Sequence, residues 1–210
     1  MRTEVKRMAE EKKVITITRE FGSLGRPIAR QVAERLGFDY YDRDMIETVA
    51  ESLGEEVKDL LEYSEENLAS PYRKMMKPLG YGAAAKQKKL FEIEKKVILD
   101  YANSRNCVIV GRCADYVLRS AGKKKLFNVF IYAPYSARYN FCVDRLGLTP
   151  EATADYMDKI NKARADFYKK QTGERFDSPK YRHMMIDSSC MKMSDIIDVI
   201  CSSAEKSFLS

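Results

Sequence analysis

Residues 14–30 read VITITREFGSLGRPIAR. The opening Val, Ile and Thr residues have the β-branched composition of a strand. Gly22 and Gly25 follow, and then Pro27, which suits the first turn of a helix because the N–H it lacks would have no partner there. The helical pattern stops at Gly37. Phosphate-binding loops are built as strand, glycine turn and helix: the turn bares successive backbone N–H groups, and the helix start adds a partial positive charge. The lysine and hydroxyl residue of the commonest such loop are missing, for Arg26 is followed by Pro27. Arg26 is then the candidate for the fixed cation, with Arg19 as a second, and Ser23 is the loop's only hydroxyl. The competing reading is a plain turn that needs glycine.

Outward from this stretch, strands and helices alternate. FDYYD (residues 38–42) is a short strand, and residues 44–61 carry apolar side chains at helical spacing, with Asp44 as a possible cap. Residues 63–82 are less regular and contain Pro71 and Pro78. A long helix is expected over residues 84–103, followed by the apolar strand CVIVG (107–111), a short helix ended by Gly122, and the strand LFNVFIYAP (126–134). YSARYNFCVDRLG (135–147) reads as helix. A further helix starts at residue 149 with Thr at the cap, Pro next and Glu in the first turn. HMMIDSS (183–189) is the last strand and residues 193–208 the last helix. This order predicts an α/β fold with a doubly wound, five-stranded parallel sheet, and ligands at the carboxyl ends of its strands.

Composition narrows the function classes. The chain has 210 residues, of which 45% are hydrophobic and 32% charged, as expected for one globular domain. The five cysteines are widely spaced and His183 is the sole histidine, which argues against a zinc site and a disulfide framework. The N-terminal residues lack a signal-peptide core and no apolar run reaches membrane-span length, so the expected location is cytoplasmic with no membrane partner. A net charge of +6 fits an anionic small ligand, nucleic acid or nothing specific; the lack of interleaved aromatic and basic residues weakens the nucleic-acid option.

Three further stretches carry candidate chemistry. Asp42 and Arg43 end the second strand, where they would meet an acceptor substrate, although Asp44 beside them reads equally as a helix cap. Arg112 follows the buried third strand, where a guanidinium can clamp a phosphate with two N–H groups, and Asp115 lies three residues on. In KINKARADFYKKQTGERF (159–176) the basic residues form either a solvated helix or a flap closing over phosphates. Lys162 and Arg164 cannot share a helix face.

Taken in order, ITITREFGSLGRPIARQVAERLGFDYYDRDMI, VIVGRCADYVL, VFIYAP with Arg138 beyond it, KARADFYKKQTG and MMIDSS resemble the cytidylate kinase-like family of the P-loop nucleoside monophosphate kinases. The resemblance covers nearly the whole chain. It implies a core of residues 14–43, 90–148 and 180–210, a monophosphate-binding insertion at 44–89 and a lid at 149–179. It implies that Gly22, Ser23, Leu24, Gly25, Arg26 and Pro27 face the phosphates of ATP. Asp42, Arg43, Arg112, Asp115 and Lys162 would face the acceptor, and Arg26, Arg112 and Arg164 would act in catalysis. No protein side chain is assigned to a metal, and Mg²⁺ would accompany ATP. The chain departs from the family pattern at Leu24, where a glycine is usual, at Pro27, at Phe141, at Phe176, and at Asn161, where the lid usually has aspartate.

The leading expectation is ATP-dependent phosphoryl transfer to a nucleoside monophosphate, most nearly CMP or dCMP, by a monomer or homodimer whose partners are nucleotides. The alternative is a kinase-like protein that binds nucleotide but acts on another small molecule or is catalytically weak. A nucleic-acid-binding module rests only on the net charge.

Overall fold

The computed structural model of the chain describes residues 11–42, 44 and 84–209. The strands are β1 (Val14–Arg19), β2 (Asp39–Tyr41), β3 (Cys107–Val110), β4 (Leu126–Tyr132) and β5 (Met184–Asp187). The α-helices among the described residues are α1 (Gly25–Leu36), α2 (Ala84–Ser104), α3 (Ala114–Ser120), α4 (Tyr135–Asp144), α5 (Pro150–Thr172) and α6 (Met193–Leu209). Every strand expected from the sequence is present, and all pair in parallel in the order β2-β3-β1-β4-β5.

The side-chain alternation of the strands divides the core in two. Ile15, Ile17, Val108, Val110, Val129 and Ile131 point to one face, where Ile28 and Val32 of α1 and Ile196 and Ile200 of α6 cover them. Val14, Cys107, Ile109 and Leu126 point to the other, against Ile98 of α2 and Val117 and Leu118 of α3. With both faces covered, the central strands are near-continuous apolar runs, as CVIV shows.

Local signals set the helix ends. The N–H of Gly37, at φ 64°, and that of Phe38 bond back to α1 carbonyls, giving the left-handed stop read from the sequence. At α5 the Thr149 hydroxyl accepts the Ala152 N–H at 3.3 Å, Pro150 opens the helix, and Gly173 closes it at φ 74°. The carboxyl end of β1 is the switch point of the sheet, since β3 flanks it on one side and β4 on the other. The insertion expected at 44–89 and the helix expected at 44–61 lie almost wholly outside the described residues.

Candidate phosphate site

The loop after β1 is tightly packed and holds Gly22 and Leu24 at positive φ. Gly22 has φ 79°, and a Cβ there would lie 2.9 Å from the Arg138 carbonyl oxygen and 3.0 Å from the Cys142 sulfur. Leu24 is held at φ 60° as the residue before α1. A side chain in that conformation costs roughly 1–2 kcal/mol. The Ser23 hydroxyl turns inward, 3.1 Å from the carbonyl oxygens of both Glu20 and Ile131, so Ser23 offers a ligand its N–H and not its hydroxyl. Among the described residues, the N–H groups of Gly22, Ser23, Leu24, Gly25 and Arg26 donate to no carbonyl. Amides without carbonyl partners at the start of a helix are the donors an anion site uses. They line a pocket with Pro27, Phe141, Leu146 and Arg164.

Arg26 leans toward β2. Its Nε lies 3.5 Å from the Asp42 carboxylate and its Nη1 3.6 Å from that of Asp44. Asp42 is buried and held further by the Tyr40 hydroxyl and the Asp44 N–H, both donating at 3.1 Å. Burial, reinforced by the Asp42 charge, raises the Tyr40 pKa above the usual phenol range, so Tyr40 stays a donor. Arg43 lies outside the described residues.

At the end of β3, Gly111, Arg112 and Cys113 have φ 80°, 53° and 56°, three left-handed residues in succession. Such strain persists only where the surroundings impose it, and it concentrates at functional turns. The Arg112 side chain, 6% exposed, pairs with buried Glu94 of α2 at 2.9 Å and lies over the Phe167 ring of α5. Burial and the charge of Asp115 raise the Cys113 thiol pKa, which leaves it un-ionised.

Helix α5 lies across the loop. Arg164, buried, donates from Nη1 to the Arg19 carbonyl oxygen at 3.1 Å, and Asn161 Oδ1 accepts the Phe21 N–H at 2.7 Å. Lys162 faces water and pairs with Asp166 one turn along. The two basic residues thus separate as helical spacing requires.

Asp115 belongs to a different set of ion pairs from Arg26 and Asp42. It is 2% exposed, accepts the Tyr168 hydroxyl at 2.7 Å and bonds Arg182, so its carboxylate joins α3, α5 and the approach to β5.

A sequence model of the cytidylate kinase-like family matches residues 14–190. The chain belongs to the cytidylate kinase-like family. Among solved structures, one of a protein from Eubacterium ventriosum described only as uncharacterized is similar at TM-score 0.70 and 19% identity, covering 92% of this chain and 99% of that one. A gluconokinase from Sinorhizobium meliloti is similar at TM-score 0.56 and 12% identity, covering 94% of each chain. A shikimate kinase from Acinetobacter baumannii solved with shikimate is similar at TM-score 0.51 and 14% identity, covering 96% and 97%. Curated proteins yield no match to the sequence. At these identities the structural likeness shows the P-loop kinase fold. Family and fold together support nucleotide-dependent phosphoryl transfer in general terms.

In this cytidylate kinase-like chain, several structural contributors escape local reading. Arg138 is buried and donates from Nε to the Ala133 carbonyl at 2.9 Å and from Nη1 to that of Phe21 at 3.4 Å. Glu20 pairs with it at 3.2 Å, which ties the β1 loop to the β4 turn. Glu94 and Arg182 carry no local signal, because a charge on a long helix and one before an edge strand look solvent-facing in the sequence. None of the described helices is long and apolar enough to cross a membrane, and among the described residues no cluster of His, Cys, Asp and Glu could hold a metal ion by itself.

Proposed function

We propose that this protein transfers the terminal phosphoryl group of ATP to a nucleoside monophosphate of the CMP or dCMP kind. The observation that carries the reading is the run of amides from Gly22 to Arg26 that no backbone carbonyl accepts, at the sheet's switch point, in a pocket that Arg164 of α5 also lines. Phosphoryl transfer asks a protein mainly for positioning and charge neutralisation, and amides plus guanidinium groups supply both. The loop amides and Arg26 hold the donor phosphates. Arg112, fixed by Glu94, and Asp42 face the acceptor, and Arg164 stabilises the group in transit. Mg²⁺ is ordinarily held by one or two carboxylates, water and the substrate's own phosphates. Asp42 and Asp44, next to Arg26, fit that role, and the ion would neutralise phosphate charge there.

A second reading, a kinase-like protein that binds nucleotide but acts on another small molecule or turns over weakly, draws on the pairing of Arg26 with Asp42 and Asp44. Thermal denaturation with ATP and with a panel of monophosphates separates the two. The first predicts stabilisation by ATP and by a pyrimidine monophosphate, about 2.7 kcal/mol at a hundred times Kd. Stabilisation by ATP alone favours the second, and none by any nucleotide contradicts both.

A further inference from the structure

We propose that the guanidinium of Arg19 is itself a phosphate ligand, binding the terminal phosphoryl group of the donor; this rests on the phosphoryl-transfer reading above. Arg19 is the last residue of β1, at the switch point, and it lines the loop pocket. Two glycines from different loops make room for its side chain. A Cβ on Gly25 would lie 2.5 Å from Arg19 Cβ and 2.7 Å from its Cγ. A Cβ on Gly111 would overlap Arg19 Nη1. Real Cβ contacts do not come so close, so an alanine at either place would have to push the arginine aside. The side chain therefore runs from the donor loop to the strained turn that carries Arg112.

Two further arginines line the same pocket. Arg26 is directed at two carboxylates of the β2 end. Arg164 reaches the Arg19 backbone oxygen. Arg19 lies beside Gly25, whose N–H belongs to the amide cradle, and beside Gly111, which precedes Arg112. A phosphoryl group passing from the cradle toward Arg112 crosses the guanidinium of Arg19. A planar, permanently charged fork suits the oxygens of such a group better than an ammonium would.

The test is calorimetric binding of ATP, ADP and inorganic tripolyphosphate to the full chain, with Arg19→Gln, Arg19→Lys and Gly111→Ala beside the wild type. Loss of a charge-assisted contact predicts that Arg19→Gln weakens ATP and tripolyphosphate about ten- to a hundredfold and ADP less than about threefold. Arg19→Lys falls between. Gly111→Ala, which keeps the arginine but crowds its Nη1 and strains the turn at φ 80°, shifts ATP more than ADP in the same direction where the variant still melts cooperatively. If Arg19→Gln gives no cooperative melt, Arg19→Lys and Gly111→Ala decide. Unchanged ATP affinity in the folded variants, or equal losses for ATP and ADP, overturns the assignment while leaving the kinase reading intact. Arg19-dependent binding of tripolyphosphate without ATP binding keeps the assignment and removes the nucleotide reading. A wild type that binds neither overturns both.

Discussion

Asn161 on α5 accepts the backbone N–H of Phe21, in the loop after β1, at 2.7 Å. The amide oxygen of Asn161 does this accepting work without a charge. Arg164, one turn along, adds a second contact by donating to the Arg19 carbonyl. Together they tie α5 to the loop that lines the pocket after β1.

The Asn161 contact predicts a graded response. Asn161→Ala leaves the part-buried Phe21 N–H without its acceptor and should lower stability by about 1 kcal/mol. Asn161→Asp keeps an acceptor in place and should lose much less. Urea denaturation of the two variants checks the order; equal losses would show that the bond is not what holds α5.

Leu24 predicts a stability difference between two small residues. Leu24→Gly and Leu24→Ala remove nearly the same packing, but only glycine is at ease at φ 60°. The glycine variant should be the more stable by about 1 kcal/mol, the usual left-handed penalty of a side chain. Thermal denaturation measures it, and an alanine variant as stable as the glycine one would contradict the strain.

How much of this was legible follows the range of the interactions. The five strands, the Gly37 and Thr149 helix signals and the amide loop are local patterns, and they read directly. So does the split between Arg164 and Lys162, because helical spacing alone assigns them different faces. Arg26 read as a lysine substitute, but the sequence did not show that the ends of β1 and β2 come together across β3, where Asp42 and Asp44 meet it. Asp115 read as a residue facing the acceptor because Arg112 stands close in sequence; its partners, Tyr168 and Arg182, come from 53 and 67 residues away.

That buried trio predicts a large stability effect. Asp115→Asn preserves shape but leaves the guanidinium of Arg182, its side chain 2% exposed, without a countercharge. Breaking a buried pair from one side costs roughly 3–5 kcal/mol. Tyr168→Phe, which removes only one hydroxyl bond, should cost about 1 kcal/mol. Chemical denaturation checks both, and an Asp115→Asn loss below that of Tyr168→Phe would sink the argument.

His183 predicts a pH dependence. Its Nδ1 accepts the Asn128 N–H at 3.0 Å, which requires that nitrogen unprotonated, and desolvation of the ring lowers its pKa below 6.5. The unfolded chain thus binds the proton first as pH falls. The stability from this residue is complete above pH 6.5 and is lost as pH drops from there through the lowered value. His183→Asn, which offers an oxygen acceptor that does not titrate, should flatten the stability profile over that window. The ring remains accessible, so the effect should be modest, and a variant profile parallel to the wild type would contradict it.

The most direct test of the central claim is an ADP-release assay with ATP and Mg²⁺ across CMP, dCMP, UMP, AMP and GMP, run with wild type and Arg112→Ala. The account predicts turnover with a pyrimidine monophosphate and a fall on the order of a hundredfold in Arg112→Ala, as removal of a preorganised charge contact produces. No monophosphate-dependent ADP release from a wild type that binds ATP, or a fall of less than about threefold in Arg112→Ala, would contradict it.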